Sequence, residues 1–319
     1  MNTLQTIIND FLRHCRFEKN LSHKTLKAYQ IDLSQLMNFL ITQNYSTDVV
    51  QVSKVELREY LESISTLKPK SIKRKIATIK ALFNYLEFED RVAINPFRKM
   101  RVKIKEHKVV PSVMDMREIS RIFRVAYKRK DKPRDTESYS YFEDIRDIIV
   151  IELLFATGAR VSEIAELKEE NINLHTGNVL IKGKGNKERI IQICNHETIA
   201  ILRSYRELRN KRKTNGNGYF LVNRFARRLS DQSIRNVVRK LSRRAGMTKR
   251  ITPHVFRHSF ATLLLERDVD IKYIQALLGH SSITTTQIYT HVNRAKQKKI
   301  LSAKHPRKDF CMSIEMNEG

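Results

Sequence analysis

Residues 171–194 read NINLHTGNVLIKGKGNKERIIQIC, and this stretch settles the class of the fold. Three short apolar-alternating runs, 171–175, 179–182 and 189–194, are separated by Thr176-Gly177-Asn178 and by the glycine- and lysine-rich segment 183–187. The pattern predicts three antiparallel strands joined by two tight turns. Elsewhere the apolar period is helical. Helices are expected over about 114–127, 144–156 and 160–167 before the strands, and over about 197–213, 231–245, 253–266, 271–278 and 284–290 after them. The expected class is mainly α with one small three-stranded antiparallel sheet.

Upstream, the first hundred residues read as four amphipathic helices. Leu4, Ile7, Ile8, Phe11 and Leu12 mark the first, and Leu26, Tyr29, Leu33, Leu36, Phe39 and Leu40 the second. A third starts after Ser53, a residue suited to capping, and a fourth after Ser71. The fourth carries Lys73, Arg74, Lys75 and Lys80 on its other face, so a small bundle with one basic face is expected over residues 1–100. Asn95-Pro96 closes the bundle, because the residue before proline avoids the helical region. Residues 101–110, RVKIKEHKVV, lack helical periodicity and are mostly positive. They read as an extended basic linker following a nucleic-acid backbone, with an edge strand of the next domain as the alternative. Residues 111–319 form the second, larger domain with a C-terminal tail, and 128–140 reads as a polar loop within it.

Composition narrows the partner. The 319 residues include 61 Lys and Arg against 34 Asp and Glu, a formal charge of +27. The excess is spread along the chain, with 20 basic and 11 acidic side chains up to residue 110, and 41 and 23 after it. Both domains are therefore expected to touch a polyanion, and nucleic acid is the default, since lysines and arginines that neutralise phosphates release condensed counterions. Cys15, Cys194 and Cys311 are far apart and form no CxxC pair, so neither a disulfide framework nor a cysteine zinc site is expected. The first residues carry Asn9 and Asp10 within their apolar stretch, and no apolar run approaches about 18 residues. A cytoplasmic protein with no membrane partner is expected.

Four segments gather reactive side chains: ATGARVSEIAE (156–166), IKGKGNKER (181–189), PHVFRHSF (253–260) and LGHSSITTTQIYTH (278–291). Taken singly, each has a plain structural explanation: a surface arginine, a capping or core histidine, a core tyrosine. Their order carries the information. Arg160 near a glycine turn is followed by Lys184 in a β-turn, then by His254 and Arg257 three apart on one helix face, then by Gly279-His280, and by Tyr289 nine residues later. His254 and His258 have the spacing of an HExxH zinc site, but Val255 stands where the glutamate would, and Arg257 would sit beside any bound cation. There is no Walker A loop and no acidic cluster for magnesium.

With the strings ARVSE, GKGNKER, HVFRH, LLGH and TTTQIYTH in place, the chain resembles the tyrosine recombinase (phage-integrase-like) family, most closely its bacterial XerC/XerD-type members. The resemblance spans the whole architecture, a helical DNA-clamp domain followed by a catalytic domain, and its motifs are most specific in the catalytic half. It implies that Tyr289 attacks a DNA phosphodiester to give a 3′-phosphotyrosine and a free 5′-hydroxyl. It implies that His254 helps remove the tyrosine proton and that Arg160, Arg257 and His280 hold the non-bridging oxygens. Lys184 would protonate the leaving 5′ oxygen, and Glu163 would orient Arg160, with a solvated acid as its plainer alternative. No cofactor, metal or nucleotide is implied, because the phosphotyrosine retains the energy of the broken bond.

The implied partner is double-stranded DNA with a short, partly palindromic recombination site. The implied assembly is a homo-tetramer, or a hetero-tetramer with a second recombinase, on two duplexes, with an accessory protein as a further possible partner. Integration, excision, inversion and dimer resolution all fit this chemistry. The alternatives are a type IB topoisomerase-like DNA-relaxing enzyme and a catalytically inactive DNA-binding accessory protein. Two features depart from compact members: a longer loop at 128–141 and an extended tail after Tyr289. In that tail Ile300, Leu301 and Phe310 are too sparse to fold alone. It is expected either to stay a disordered basic strand or, as the resemblance implies, to dock its Ile300–Leu301 region on a neighbouring protomer.

Overall fold

Helices α1 (Leu4–Phe17), α2 (His23–Thr42), α3 (Lys54–Ser63) and α4 (Pro69–Phe88) make the first unit, Met1–Val109; the second is Val110–Gly319. The computed structural model describes residues 4–105, 112–130, 135–183, 188–212, 218–279 and 294–312. The α1 stripe Leu4, Ile7, Ile8, Phe11 and Cys15 is buried, as its helical spacing requires. At the start of α3, Ser53 forms a capping box: its hydroxyl accepts from the Val55 N–H, and Glu56 accepts from the Ser53 N–H at 2.8 Å. Helix α4 starts earlier than the expected Ser71. Pro69 occupies its first turn, where a fixed φ and a missing N–H cost nothing.

The basic face expected on α4 is in part a buried ion-pair cluster. Asp32 of α2 is fully buried and accepts from Lys75 at 3.0 Å, from Thr78 at 3.1 Å and from Arg74. Lys75 is itself buried, so this charge ties two helices together and does not face a partner. Residues 101–105 are neither helix nor strand, and Val102 and Ile104 pack against the core of the first unit. The remainder of the expected linker, 106–110, lies outside the described residues.

The second unit is built around α6 (Tyr139–Thr157), which is buried on nearly all sides. It packs against α5 (Met116–Lys130), α8 (His196–Lys211), α9 (Asp231–Arg244) and α10 (Pro253–Leu265). A helix so enclosed needs its charges paired. Arg146 meets Asp147 at 3.1 Å, Lys240 of α9 also pairs with Asp147, and Arg129 of α5 pairs with Asp144. The expected loop over 128–140 is shorter than anticipated, because α5 runs to Lys130 and Ser138 caps α6; residues 131–134 lie outside the description.

Strands β1 (Ile172–Asn173), β2 (Asn178–Lys182) and β3 (Glu188–Gln192) form the antiparallel sheet in the order β1-β2-β3. The register pairs Val179 with Ile191 and Ile181 with Arg189, which directs Val179, Ile181 and Ile191 into the core. The short α7 (Val161–Ala165) precedes the sheet, and α11 (Ile271–Leu278) follows α10. The helix expected over 284–290 lies outside the described residues. Among the described residues no helix is long and apolar enough to cross a membrane.

The described part of the tail, residues 294–312, is not a disordered strand. Residues Arg294–Lys304 form α12 and Pro306–Asp309 a 3₁₀ turn. Leu301 is buried, Ile300 and Phe310 pack on the core of the same unit, and Arg307 is fully enclosed. The three apolar residues suffice because their partners, Phe123 and Phe155 among them, come from α5 and α6. In the single chain residues 294–312 are thus packed on their own domain.

Candidate active site

Two left-handed glycines set the scaffold. Gly158 ends α6 at φ 57°, and a Cβ there would lie 2.4 Å from the Phe260 ring. Only glycine both adopts that turn and admits Phe260, so the chain reverses at once into Ala159 and Arg160. Gly158→Ala is accordingly expected to destabilise the second unit by about 1–3 kcal/mol, read as a lower urea midpoint. Unchanged stability would mean that Phe260 can yield. Gly279 ends α11 in the same way at φ 64°, and a Cβ there would lie 3.1 Å from the Arg189 guanidinium.

Arg160 caps the start of α7. Its backbone N–H donates to Glu163 Oε2 at 2.8 Å, its Nη1 to Glu163 Oε1 at 2.9 Å, and its Nη2 reaches the Gly279 carbonyl at 3.3 Å. Glu163 is buried and therefore no solvated acid. Burial pushes its pKa up, but hydrogen bonds and charge from Arg189, and then hydrogen bonds from Arg160, outweigh this, so the net shift is downward and it stays a carboxylate. Arg189 at the base of the hairpin donates from Nη2 to Glu163 Oε2 at 2.7 Å and from Nε to the Leu277 carbonyl at 2.7 Å.

Arg257 approaches from α10. Thr252 caps that helix and Pro253 fills its first turn, which places His254 and Arg257 one turn apart. The Arg257 guanidinium is buried and donates to the carbonyls of Gly158 at 2.9 Å and Leu278 at 2.7 Å. Burial first, and then the charge of Arg160, push its pKa down to about 10, so it remains a cation at neutral pH. His254 is exposed to solvent, yet its pKa lies below the usual value. Loss of water around the ring comes first, then the charges of His258, Arg235, Arg257 and Arg160. At neutral pH it is a free base, the form that can accept a proton.

Three arginines thus converge on three consecutive carbonyls, those of Leu277, Leu278 and Gly279, at the end of α11. These are orphan carbonyls of a helix C-terminus, and cations are the natural groups to satisfy them. In sequence the next residue is His280. The structure therefore brings together Arg160, His254 and Arg257. Lys184, His280 and Tyr289 lie outside the described residues, as does Lys187. Among those described, no three His, Cys, Asp or Glu residues gather as a metal site.

Arg189 is not among the residues that the sequence pattern singles out. Its signal was present in the GKGNKER string, as a charged residue at a strand position paired with the apolar Ile181. Next to the site, Arg235, Arg239, Arg243, Lys249 and Arg250 line a concave surface that reaches Pro253.

Comparison with known proteins places this geometry in context. Residues 113–296 match the model of the phage integrase family, and residues 8–90 that of the phage integrase N-terminal SAM-like domain. A tyrosine recombinase of Agathobacter rectalis is 43% identical over 311 residues, covering 97% of this chain and 99% of its own. The tyrosine recombinase XerC of Oceanobacillus iheyensis is 33% identical over 318 residues, covering 96% and 98%. In fold, the chain is similar to XerH site-specific recombinase bound to palindromic difH substrate, with a TM-score of 0.68, 21% identity and coverage of 92% and 84%. It is also similar to a lambda integrase dimer bound to a COC′ core site, with a TM-score of 0.64, 20% identity and coverage of 88% and 96%.

Proposed function

The chain belongs to the phage integrase family as a tyrosine recombinase of the XerC/XerD type, and from that premise we propose how its own residues cut and rejoin DNA. It is a site-specific recombinase, a DNA strand-transferring enzyme. The topoisomerase and inactive-accessory readings are not favoured, since relatives 33–43% identical over nearly the whole chain carry recombinase names. The observation that carries the mechanism is the convergence of Arg160 and Arg257 on the end of α11, immediately before His280 in sequence, with His254 close enough to feel the charge of both.

Tyr289 attacks the scissile phosphorus and the 5′ oxygen leaves, so a phosphodiester is exchanged for a phosphotyrosine without an external energy source. The tyrosine proton passes to His254, which its surroundings keep neutral. Arg160 and Arg257 receive the charge that builds on the non-bridging oxygens, because a guanidinium fork matches phosphate geometry. His280 adds a further donor, and Lys184 returns a proton to the departing 5′ oxygen. Attack by a 5′-hydroxyl from a second strand reverses these steps and completes the exchange.

The DNA is a duplex with a short, partly palindromic site. The basic concave surface of Arg235, Arg239, Arg243, Lys249 and Arg250 suits its phosphate backbone. The assembly is a tetramer on two duplexes, of this chain alone or with a second recombinase, acting on DNA in the cytoplasm. The decisive test replaces the bridging 5′ oxygen with sulfur. A thiolate, whose parent thiol titrates near ~8.5, leaves without an acid. Lys184→Ala is expected to cleave the oxygen substrate slowly and the sulfur substrate at the wild-type rate, followed by covalent adduct on denaturing gels. No gain with sulfur removes Lys184 from the acid role.

A further inference from the structure

Arg189 has no part in the reaction just described, yet it is the most heavily engaged arginine around the site. Its guanidinium forms a fork on Glu163, Nη1 to Oε1 at 3.2 Å and Nη2 to Oε2 at 2.7 Å, while Nε donates to the Leu277 carbonyl. Glu163 consequently stands between two arginines, each oxygen accepting once from Arg160 and once from Arg189. The two cations differ in exposure. The Arg189 side chain is 12% exposed and that of Glu163 5%, whereas the Arg160 side chain is 37% exposed. Burial of Glu163 demands strong compensation, and the enclosed partner supplies most of it.

We propose that Arg189 is a positioning residue for strand cleavage: by holding both oxygens of Glu163 it keeps Arg160 to a single side-chain donor on that carboxylate and leaves the open face of its guanidinium for phosphate. The inference rests on the assignment of Arg160 above and deepens it. Without Arg189 the buried carboxylate keeps, among the described residues, only Arg160 as a paired cation. A bidentate fork is the strongest geometry such a pair can adopt, so Arg160 turns onto Glu163 and spends both terminal nitrogens there. The Nε contact adds a second constraint. Leu277 O lies one residue before the carbonyl that Arg257 holds and two before the one that Arg160 reaches. Arg189 therefore fixes the end of α11 relative to α7, and β3 carries that constraint to the base of the hairpin. Gly279 belongs to the same device, since a Cβ there would press on the Arg189 guanidinium.

The test is a double-mutant cycle on the full chain, read as single-turnover formation of covalent protein–DNA complex at saturating DNA. Arg189→Gln is expected to slow this step about 10²-fold, the cost of a misaimed clamp, while the half-saturating DNA concentration stays within about twofold, since the phosphate-neutralising surface is untouched. Arg160→Ala is expected to slow it about 10²–10³-fold. The pair should be no slower than Arg160→Ala alone within about twofold, because Arg189 acts through Arg160. A purely architectural Arg189 would instead multiply its loss onto that of Arg160→Ala, and that result overturns the proposal, as does a wild-type rate for Arg189→Gln. If Arg160→Ala itself cleaves normally, the assignment of the clamp falls and the inference with it. Should Arg189→Gln fail to fold, Arg189→Lys enters the same cycle, since an ammonium keeps the charge but cannot serve a carboxylate fork and a carbonyl together.

Discussion

Tyr289→Phe is expected to bind the recombination site as the wild type does and to form no covalent protein–DNA complex at all. The substitution removes one oxygen and nothing else, and that oxygen is the only atom able to join phosphorus at this position. Binding survives because affinity for a duplex comes from many phosphate contacts made by a chain of net charge +27. The phenol, with an ordinary pKa near ~10, cannot act as a free phenolate at neutral pH and must lose its proton during attack. The proposed mechanism therefore calls for His254 as a neutral ring, and for Arg160 and Arg257 as cations where charge builds. Incubation with a site nicked beside the scissile phosphate, followed by a denaturing gel, gives the answer. Any adduct from the phenylalanine variant moves the nucleophile to another residue.

What the sequence disclosed about this site, and what it withheld, follows from the range of the interactions. The helical faces and the hairpin were legible because a period of 3.6 or 2 residues is a local property, and Ser53 and Glu56 announce a capping box within four residues. The order of Arg160, Lys184, His254, Arg257, His280 and Tyr289 was legible as a pattern of types and spacings. The partners were not. Arg189 meets Glu163 across 26 residues, Arg160 reaches Gly279 across 119, and Arg307 meets Glu152 across 155. Nothing local marks such pairs. The same reason explains Lys75, which a helical wheel assigns to a basic surface and which the fold turns inward onto Asp32. It explains the tail as well, whose few apolar residues look insufficient until the aromatic rings of α5 and α6 are placed beside them.

Arg307→Met is expected to destabilise the second unit by about 3–5 kcal/mol, the usual consequence of removing one partner of an enclosed ion pair. Arg307 and Glu152 are both fully buried and meet at 2.9 Å, and Glu152 also accepts from Tyr127 at 2.6 Å and Thr198 at 2.8 Å. The Arg307 guanidinium lies 4.6 Å from the centre of the Phe310 ring and donates to Glu197 at 3.1 Å. Its loss strands the Glu152 carboxylate in an aromatic interior where methionine offers no hydrogen. Glu152→Gln together with Arg307→Met should recover about 2 kcal/mol or more, because the stranded charge disappears along with the pair. Since the chain has no tryptophan, urea unfolding is followed by circular dichroism, with proteolysis after Lys304 reporting tail release. The neighbouring His305 adds a pH dependence of fixed sign. Burial first, and its surroundings, hold its pKa down to about 4, with Nδ1 accepting the Arg307 N–H and Nε2 donating to Ala156 O. The folded state thus binds this proton less readily than the unfolded chain, whose histidine titrates near ~6.5. Its contribution is intact above that value and is lost progressively as the pH falls toward 4. His305→Gln should flatten this part of the profile, while a tail that loosens equally at pH 7.5 and pH 5 in the wild type would remove His305 from the anchor and leave Arg307 to hold it alone.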